Sequence, residues 1–174
     1  MNNGARIGVY ICHCGTNIAG KVDVKALVDS AAKLPGVVIS REYKYMCSDP
    51  GQDLIVQDVK NLDLNRVVVA SCSPHLHELT FRKTTAHAGK NPYLFHIVNI
   101  REHVSWVTDD PVAATIKAQA LVRASVQRIY WHEELEPRRF PVNPKVLIVG
   151  GGIAGIHAAL ILANEVTCRL GLAT

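Results

Sequence analysis

From Arg6 onward the chain alternates short apolar runs with stretches in which apolar residues recur every three or four positions. Ile7 to Cys12 is apolar and rich in β-formers, which predicts a buried strand closed by a glycine turn at Gly15. Asp23 then caps a predicted helix to about Leu34, with Val24, Leu27, Val28, Ala31 and Ala32 on one face and Pro35-Gly36 as its stop. Val37 to about Glu42 reads as a second strand. A turn at Ser48-Asp49-Pro50-Gly51 follows, then a helix from Gln52 to Lys60 with Leu54, Ile55 and Val59 facing inward. Arg66 to Cys72 is the clearest strand, and its unbroken apolar run fits a strand covered on both faces. Ser73-Pro74 opens a short helix to about His87, and Tyr93 to Ile100 is a fourth strand. Asp110 caps a long helix to about Trp131, with Pro111 in its first turn and Ile116, Ala120 and Ala124 inside.

Strands alternating with helices at this spacing predict an α/β fold, a doubly wound parallel sheet of about four strands. Residues 133–144, EELEPRRFPVNP, carry three prolines and no apolar periodicity, so they read as a linker. The expected organisation is a cysteine-bearing domain over residues 1–132, that linker, and a nucleotide-binding segment over 145–174. With 48% apolar and 20% charged residues the chain has the material for a packed core. No apolar run is long enough to span a membrane and no secretory pattern opens the chain, so a cytoplasmic protein is expected. The net charge of +4 is scattered, with Arg138-Arg139 the tight basic pair of note, and no stripe for nucleic acid is present.

In an open parallel sheet, ligands bind beyond the carboxyl ends of the strands. Cys12 ends the first predicted strand and Cys14 follows it; Cys47 lies just past the second strand and Cys72 ends the third. All four thiols therefore fall on one rim, where they suit a tetrahedral metal or an iron–sulfur cluster. The spacing matches neither a ferredoxin run nor a zinc ribbon, and cysteine is also a common small residue at buried strand ends. Cys168 stands apart from this rim and reads as incidental. His13, His75 and His77 sit beside the cysteines as ligands or as outer hydrogen-bonding partners. Arg101 and Glu102, after the fourth strand, line the same rim or form a solvated loop pair.

Residues 144–164 read PKVLIVGGGIAGIHAALILAN: a strand, then Gly150, Gly152 and Gly155 in G-x-G-x-x-G spacing, then an apolar helix. The glycines permit a tight turn, close approach of a pyrophosphate and helix–strand contact, and the helix N-terminus favours the phosphates. No second strand with a terminal acidic residue is read after that helix, so the dinucleotide site is expected to be incomplete.

The segments ICHCGTNIAG, YMCSDPGQ, VVVASCSPHLHE, NPYLFHIVNIRE and LIVGGGIAGIHAALILA resemble the A-subunit of heterodisulfide reductase, over about residues 6–164. That family comprises iron–sulfur flavoproteins of methanogens and many anaerobic bacteria. The resemblance implies an electron-transfer protein of a larger complex: an N-terminal domain holding a [4Fe–4S] cluster on Cys14, Cys47 and Cys72, with Cys12 as the fourth ligand, followed by the start of a Rossmann-type FAD domain. In the family, partners include the disulfide-reducing subunits and a hydrogenase or formate dehydrogenase, and in some complexes the flavin bifurcates electrons.

Two departures stand against the family pattern. Where the family has a cysteine, in a segment like REQCSWV, this chain has Val104, with His103 beside it as a substitute. The family also continues for several hundred residues, so a fragment, a pseudogene-like product and a split gene all stay open. A cofactor-free interaction module, or a zinc or thiol-redox protein using the same cysteines, stays open. Nothing points to catalysis by the chain alone, since no nucleophile turn such as G-x-S-x-G is present.

Overall fold

The four apolar runs become four parallel strands: β1 Ile7–Cys12, β2 Val37–Tyr43, β3 Arg66–Ser71 and β4 Phe95–Asn99. They lie side by side in the order β2-β1-β3-β4. Between and after them run α1 Val24–Ala31, α2 Asp49–Asn61, α3 Pro74–His87, a π-helical turn Arg101–Ser105 and α4 Pro111–Ile129. The structure is a computed structural model and describes residues 4–143, 145–165 and 170–173, which excludes Cys168. It divides into two compact units, meeting in sequence between Leu135 and Glu136.

Side chains alternate across the sheet and fill two separate layers. Ile7, Val9 and Ile11 of β1 with Val68 and Ala70 of β3 pack under α1 and α4. Tyr10, Cys12, Val67 and Val69 pack under α2 and α3 with Phe81, Phe95 and Ile97. Helices on both faces explain the unbroken apolar runs of β1 and β3, because each of these strands must be apolar in both directions. This is the doubly wound parallel α/β sheet the sequence predicts. Burying each Val, Leu or Ile contributes roughly 1.5–3 kcal/mol, and the helix starts are pinned by polar caps. Asp23 accepts from Ala26 N at 2.9 Å, and Asp110 accepts from Val112 N and Ala113 N at 3.3 and 3.1 Å.

Three local expectations are corrected. Asp49-Pro50-Gly51 is the first turn of α2, with Ser48 at the N-cap position, not a separate turn before it. Proline is at home in a first helical turn, and a Cβ on Gly51 would stand 2.6 Å from the Met46 carbonyl oxygen, so glycine serves close approach there. In α4 the buried line is Ala114, Ala118, Val122, Ser125, Val126 and Ile129, whereas Ile116 is 61% exposed and Ala120 and Ala124 face solvent. Alanines on several sides of this helix leave its apolar phase ambiguous in sequence. Ala32 likewise lies exposed just beyond α1.

The second unit carries β5 Val146–Val149, α5 Ile153–Glu165 and β6 Leu170–Ala173, with β5 and β6 paired in parallel. A second strand therefore follows the glycine helix, and its four residues, LGLA, include no acidic residue. Four residues with two leucines, a glycine and an alanine carry too little pattern to be read as a strand.

His96 of β4 stands edge-on to His132, their ring centroids 5.6 Å apart. Burial, reinforced by Arg128 and the neighbouring His132, pulls its pKa down from 6.5 to about 4. The folded chain thus holds fewer protons than the unfolded chain between those values, and stability falls as pH drops from 6.5 toward 4. The expected loss across that window is about 1–3 kcal/mol. Urea midpoints of the wild type and His96→Gln at pH 7 and pH 4.5 check it. Equal pH sensitivity in the two proteins would contradict the assignment.

Candidate functional site at the C-terminal rim of the sheet

The chain steps from β1 outward to β2, then returns past β1 to β3 and on to β4. The reversal lies between β1 and β3, where successive connections leave for opposite faces and open a crevice at the carboxyl ends of the strands. Ile11 is level with Ala70, so Cys12 and the pair Ser71-Cys72 emerge side by side at this crevice. Cys12 is level with Tyr43 of β2, and Cys47 follows in the next loop. The strand order therefore delivers Cys12, Cys14, Cys47 and Cys72 to one rim.

Backbone groups shape the rim as much as side chains do. Cys14 has φ +50°, a left-handed conformation that costs a non-glycine residue roughly 1–3 kcal/mol and marks over-determined local structure. Its N–H donates to Cys12 Sγ at 3.3 Å, and Met46 N donates to the same sulfur at 3.4 Å. His13 N and Gly15 N donate to the Tyr43 and Lys44 carbonyls at 3.1 and 3.3 Å, lacing the Cys-x-Cys loop to the β2–α2 loop. Gln52 Nε2 donates to the Cys47 carbonyl at 2.9 Å, while Thr84 of α3 donates to Gln52 Oε1 at 2.8 Å. The Cys-x-Cys loop and the Cys47 loop are thus each tied to a neighbouring element.

The thiols lie within electrostatic reach of one another. Burial pushes the Cys12 thiol pKa up, against the Met46 and Cys14 N–H groups, and Cys14 and Cys47 add to the rise. Burial raises Cys47 as well, with Cys14 contributing. Cys72 is pushed up to about 11, first by burial, with Arg101 opposing and Cys14, Cys12 and Cys47 reinforcing. Four thiolates at this rim would repel one another and call for a bound positive charge. Among the described residues, no three His, Cys, Asp or Glu side chains are arranged to hold a single metal ion.

Arg101 reaches this rim from the π-helical turn and donates through Nη1 to Cys14 Sγ at 3.3 Å. Val104, in the same turn, is wholly buried in the α1/α4 layer, and His103 is exposed. His13 pairs with Glu42 at 3.3 Å, His77 contacts Thr80 at 3.4 Å, and His75 is exposed. Asn17 and Trp106 also belong to the rim. The indole donates to Asn17 Oδ1 at 3.5 Å and Asn17 Nδ2 to the Cys14 carbonyl at 3.3 Å. Sequence reading missed both; a tryptophan just past a strand end beside an Arg-Glu pair was the available signal. Ser71, 2% exposed, leaves its Oγ without a partner.

In the second unit the glycine loop is built for close approach. Gly150 has φ +104°, and a Cβ on Gly155 would stand 2.0 Å from the Gly150 carbonyl oxygen, so helix and turn meet only through glycine. Space above Gly151 and Gly152 is open.

These features define a class: a doubly wound parallel domain with thiols gathered at its strand ends, in one chain with a strand–glycine loop–helix–strand unit. No model of a known protein family matches the chain. A comparison with curated proteins finds close relatives. The A-subunit of the "H(2):CoB-CoM heterodisulfide,ferredoxin reductase" of Methanothermobacter marburgensis is 58% identical over 160 residues, 91% of this chain and 24% of its own length. The second iron–sulfur A-subunit of the "CoB--CoM heterodisulfide reductase" of Methanopyrus kandleri is 56% identical over the same shares. The A-subunit of the "Ferredoxin/F(420)H(2)-dependent CoB-CoM heterodisulfide reductase" of Methanosarcina acetivorans is 55% identical, over 91% of this chain and 20% of its own length. The chain belongs to the heterodisulfide reductase A-subunit family, and it spans about a quarter or less of the length of these relatives. Among the described residues no helix is long and apolar enough to cross a membrane.

Proposed function

We propose that this chain is a cytoplasmic electron-transfer module in which Cys12, Cys14, Cys47 and Cys72 hold a [4Fe–4S] cluster. The observation that carries the reading is the convergence of four thiols, from three separate strand ends, on the crevice where the strand order reverses. Four thiols that share one electrostatic environment supply the all-sulfur ligand set that a four-iron cubane takes. The cluster supplies one-electron chemistry; the chain's own groups hold it, orient it and keep water away. Cys14 N–H, Met46 N–H and Arg101 donate to ligand sulfurs, the kind of contact that sets a cluster's potential. With Val104 buried in the core, Cys12 serves as the fourth ligand in place of a thiol from the π-helical turn.

The glycine loop fits a dinucleotide, with the FAD pyrophosphate received over Gly150, Gly152 and Gly155 at the N-terminus of α5. A bound cluster would supply single electrons toward a flavin whose site a longer chain or a partner completes. The assembly is of heterodisulfide reductase type, and its partners are the other reductase subunits and a hydrogenase or formate dehydrogenase. The relatives' names, which specify hydrogen, ferredoxin or F420H2 together with a heterodisulfide, support this assembly.

Anaerobic purification and reconstitution with iron and sulfide test the reading. The expected product is brown, absorbs broadly near roughly 400 nm and carries about four irons per chain. A colourless, iron-free protein after reconstitution would leave a docking module without a redox centre.

A further inference from the structure

Arg101 is held from every side at the rim. Its Nε and Nη2 donate to Glu102 Oε1 at 3.1 and 2.7 Å, which leaves Nη1 free to donate to Cys14 Sγ at 3.3 Å. The Trp106 ring lies against the guanidinium, 4.8 Å from Cζ to centroid. Asn99 Oδ1 accepts the backbone N–H groups of Arg101 and Glu102 at 3.1 and 3.0 Å, fixing where the π-helical turn begins. Burial works against Arg101's charge, yet the Glu102 and Cys14 contacts outweigh it and hold the group firmly cationic. Burial would also raise Glu102, but its bond from Arg101, its own backbone and Asn99 keep the carboxyl below its usual range. A second path runs from Trp106 through Asn17 to the Cys14 carbonyl. Both paths therefore end on Cys14, the cysteine whose backbone is left-handed.

We propose that Arg101 is the positioning residue of the redox centre at this rim, orienting Cys14 and biasing the bound cluster toward its reduced state. The inference rests on the cluster reading above. Reduction adds one negative charge, and a fixed guanidinium in contact with a ligand sulfur stabilises it, the more so in a partly buried site. Glu102 engages the opposite side of the guanidinium, so the cation is the charge nearer the sulfur. The clamp also removes the freedom that would let a long side chain swing into water. The π-helical turn thus brings a cation to the thiols.

The test is a spectroelectrochemical titration of the full chain loaded with iron and sulfide, as wild type, Arg101→Gln and Arg101→Lys, with iron counted in each. Arg101→Gln is expected to shift the midpoint to more negative potential at unchanged iron content. Arg101→Lys should shift it less, because it keeps the charge and loses the fork. An unchanged midpoint in loaded Arg101→Gln overturns the role of Arg101 and leaves the cluster reading standing. A wild-type chain that takes up no iron overturns both. If Arg101→Gln does not hold the cluster, pulsed EPR of the reduced wild type carrying 15N-arginine decides. A 15N coupling to the cluster supports the contact, and none overturns it.

Discussion

Replacing Cys72 by serine is expected to lower bound iron from about four per chain to almost none, with little change in the fold. Thiolate is the ligand iron–sulfur clusters require, and a serine oxygen is a hard, weakly acidic replacement. The side chain is 5% exposed at the end of β3, beside the crevice, so the substitution removes a ligand without opening the layers beneath. The structural cost is one more polar atom at a buried strand end, about 1 kcal/mol. Iron and sulfide analysis after anaerobic reconstitution, with thermal melts of both iron-free proteins, separates the two effects. Cys47→Ser should behave alike, because Cys47 enters the same set from a different loop. Iron retained at the wild-type level in Cys72→Ser would remove Cys72 from the ligand set.

Phe81→Ala should cost about 3–5 kcal/mol, the usual loss for truncating a buried aromatic ring. Phe81 is 1% exposed and packs against Phe95 with centroids 5.9 Å apart, beneath α3 and against the sheet. Val67, Val69 and Ile97 of the same layer are fixed in strands and refill little of the space. Equilibrium urea unfolding of the two proteins measures the difference. A loss under about 1 kcal/mol would mean that α3 is not anchored by this ring. Because Cys72 lies just before α3, the same variant is expected to hold iron less firmly.

Sequence pattern revealed the parts that repeat and hid those set by single contacts. β1 and β3 were legible because both their faces are covered, which forces consecutive apolar residues. Their order in the sheet was not, yet the order is what brings Cys12 and Cys72 together. The four rim thiols were legible through the rule that parallel sheets gather chemistry at their carboxyl ends. The cradle around Cys12 was not, since two of its donors are backbone N–H groups, which every residue but proline carries. The start of α2 was misread because Asp-Pro-Gly serves equally as a turn and as a first helical turn. In α4 the many alanines allowed more than one inward face, and only contact with α1 and the sheet selects Ala114 to Ile129.

The two packed layers lie under the rim and draw on it for little of their cohesion: of the four rim cysteines, only Cys12 sits within one of them, and Cys14 and Cys47 touch them from outside. A zinc finger is different, for it has no fold until its metal arrives. On the proposed reading, oxygen that destroys the centre leaves the scaffold standing. Such a protein is a reusable socket: after exposure to air it needs iron, sulfide and electrons to recover, and no new round of synthesis.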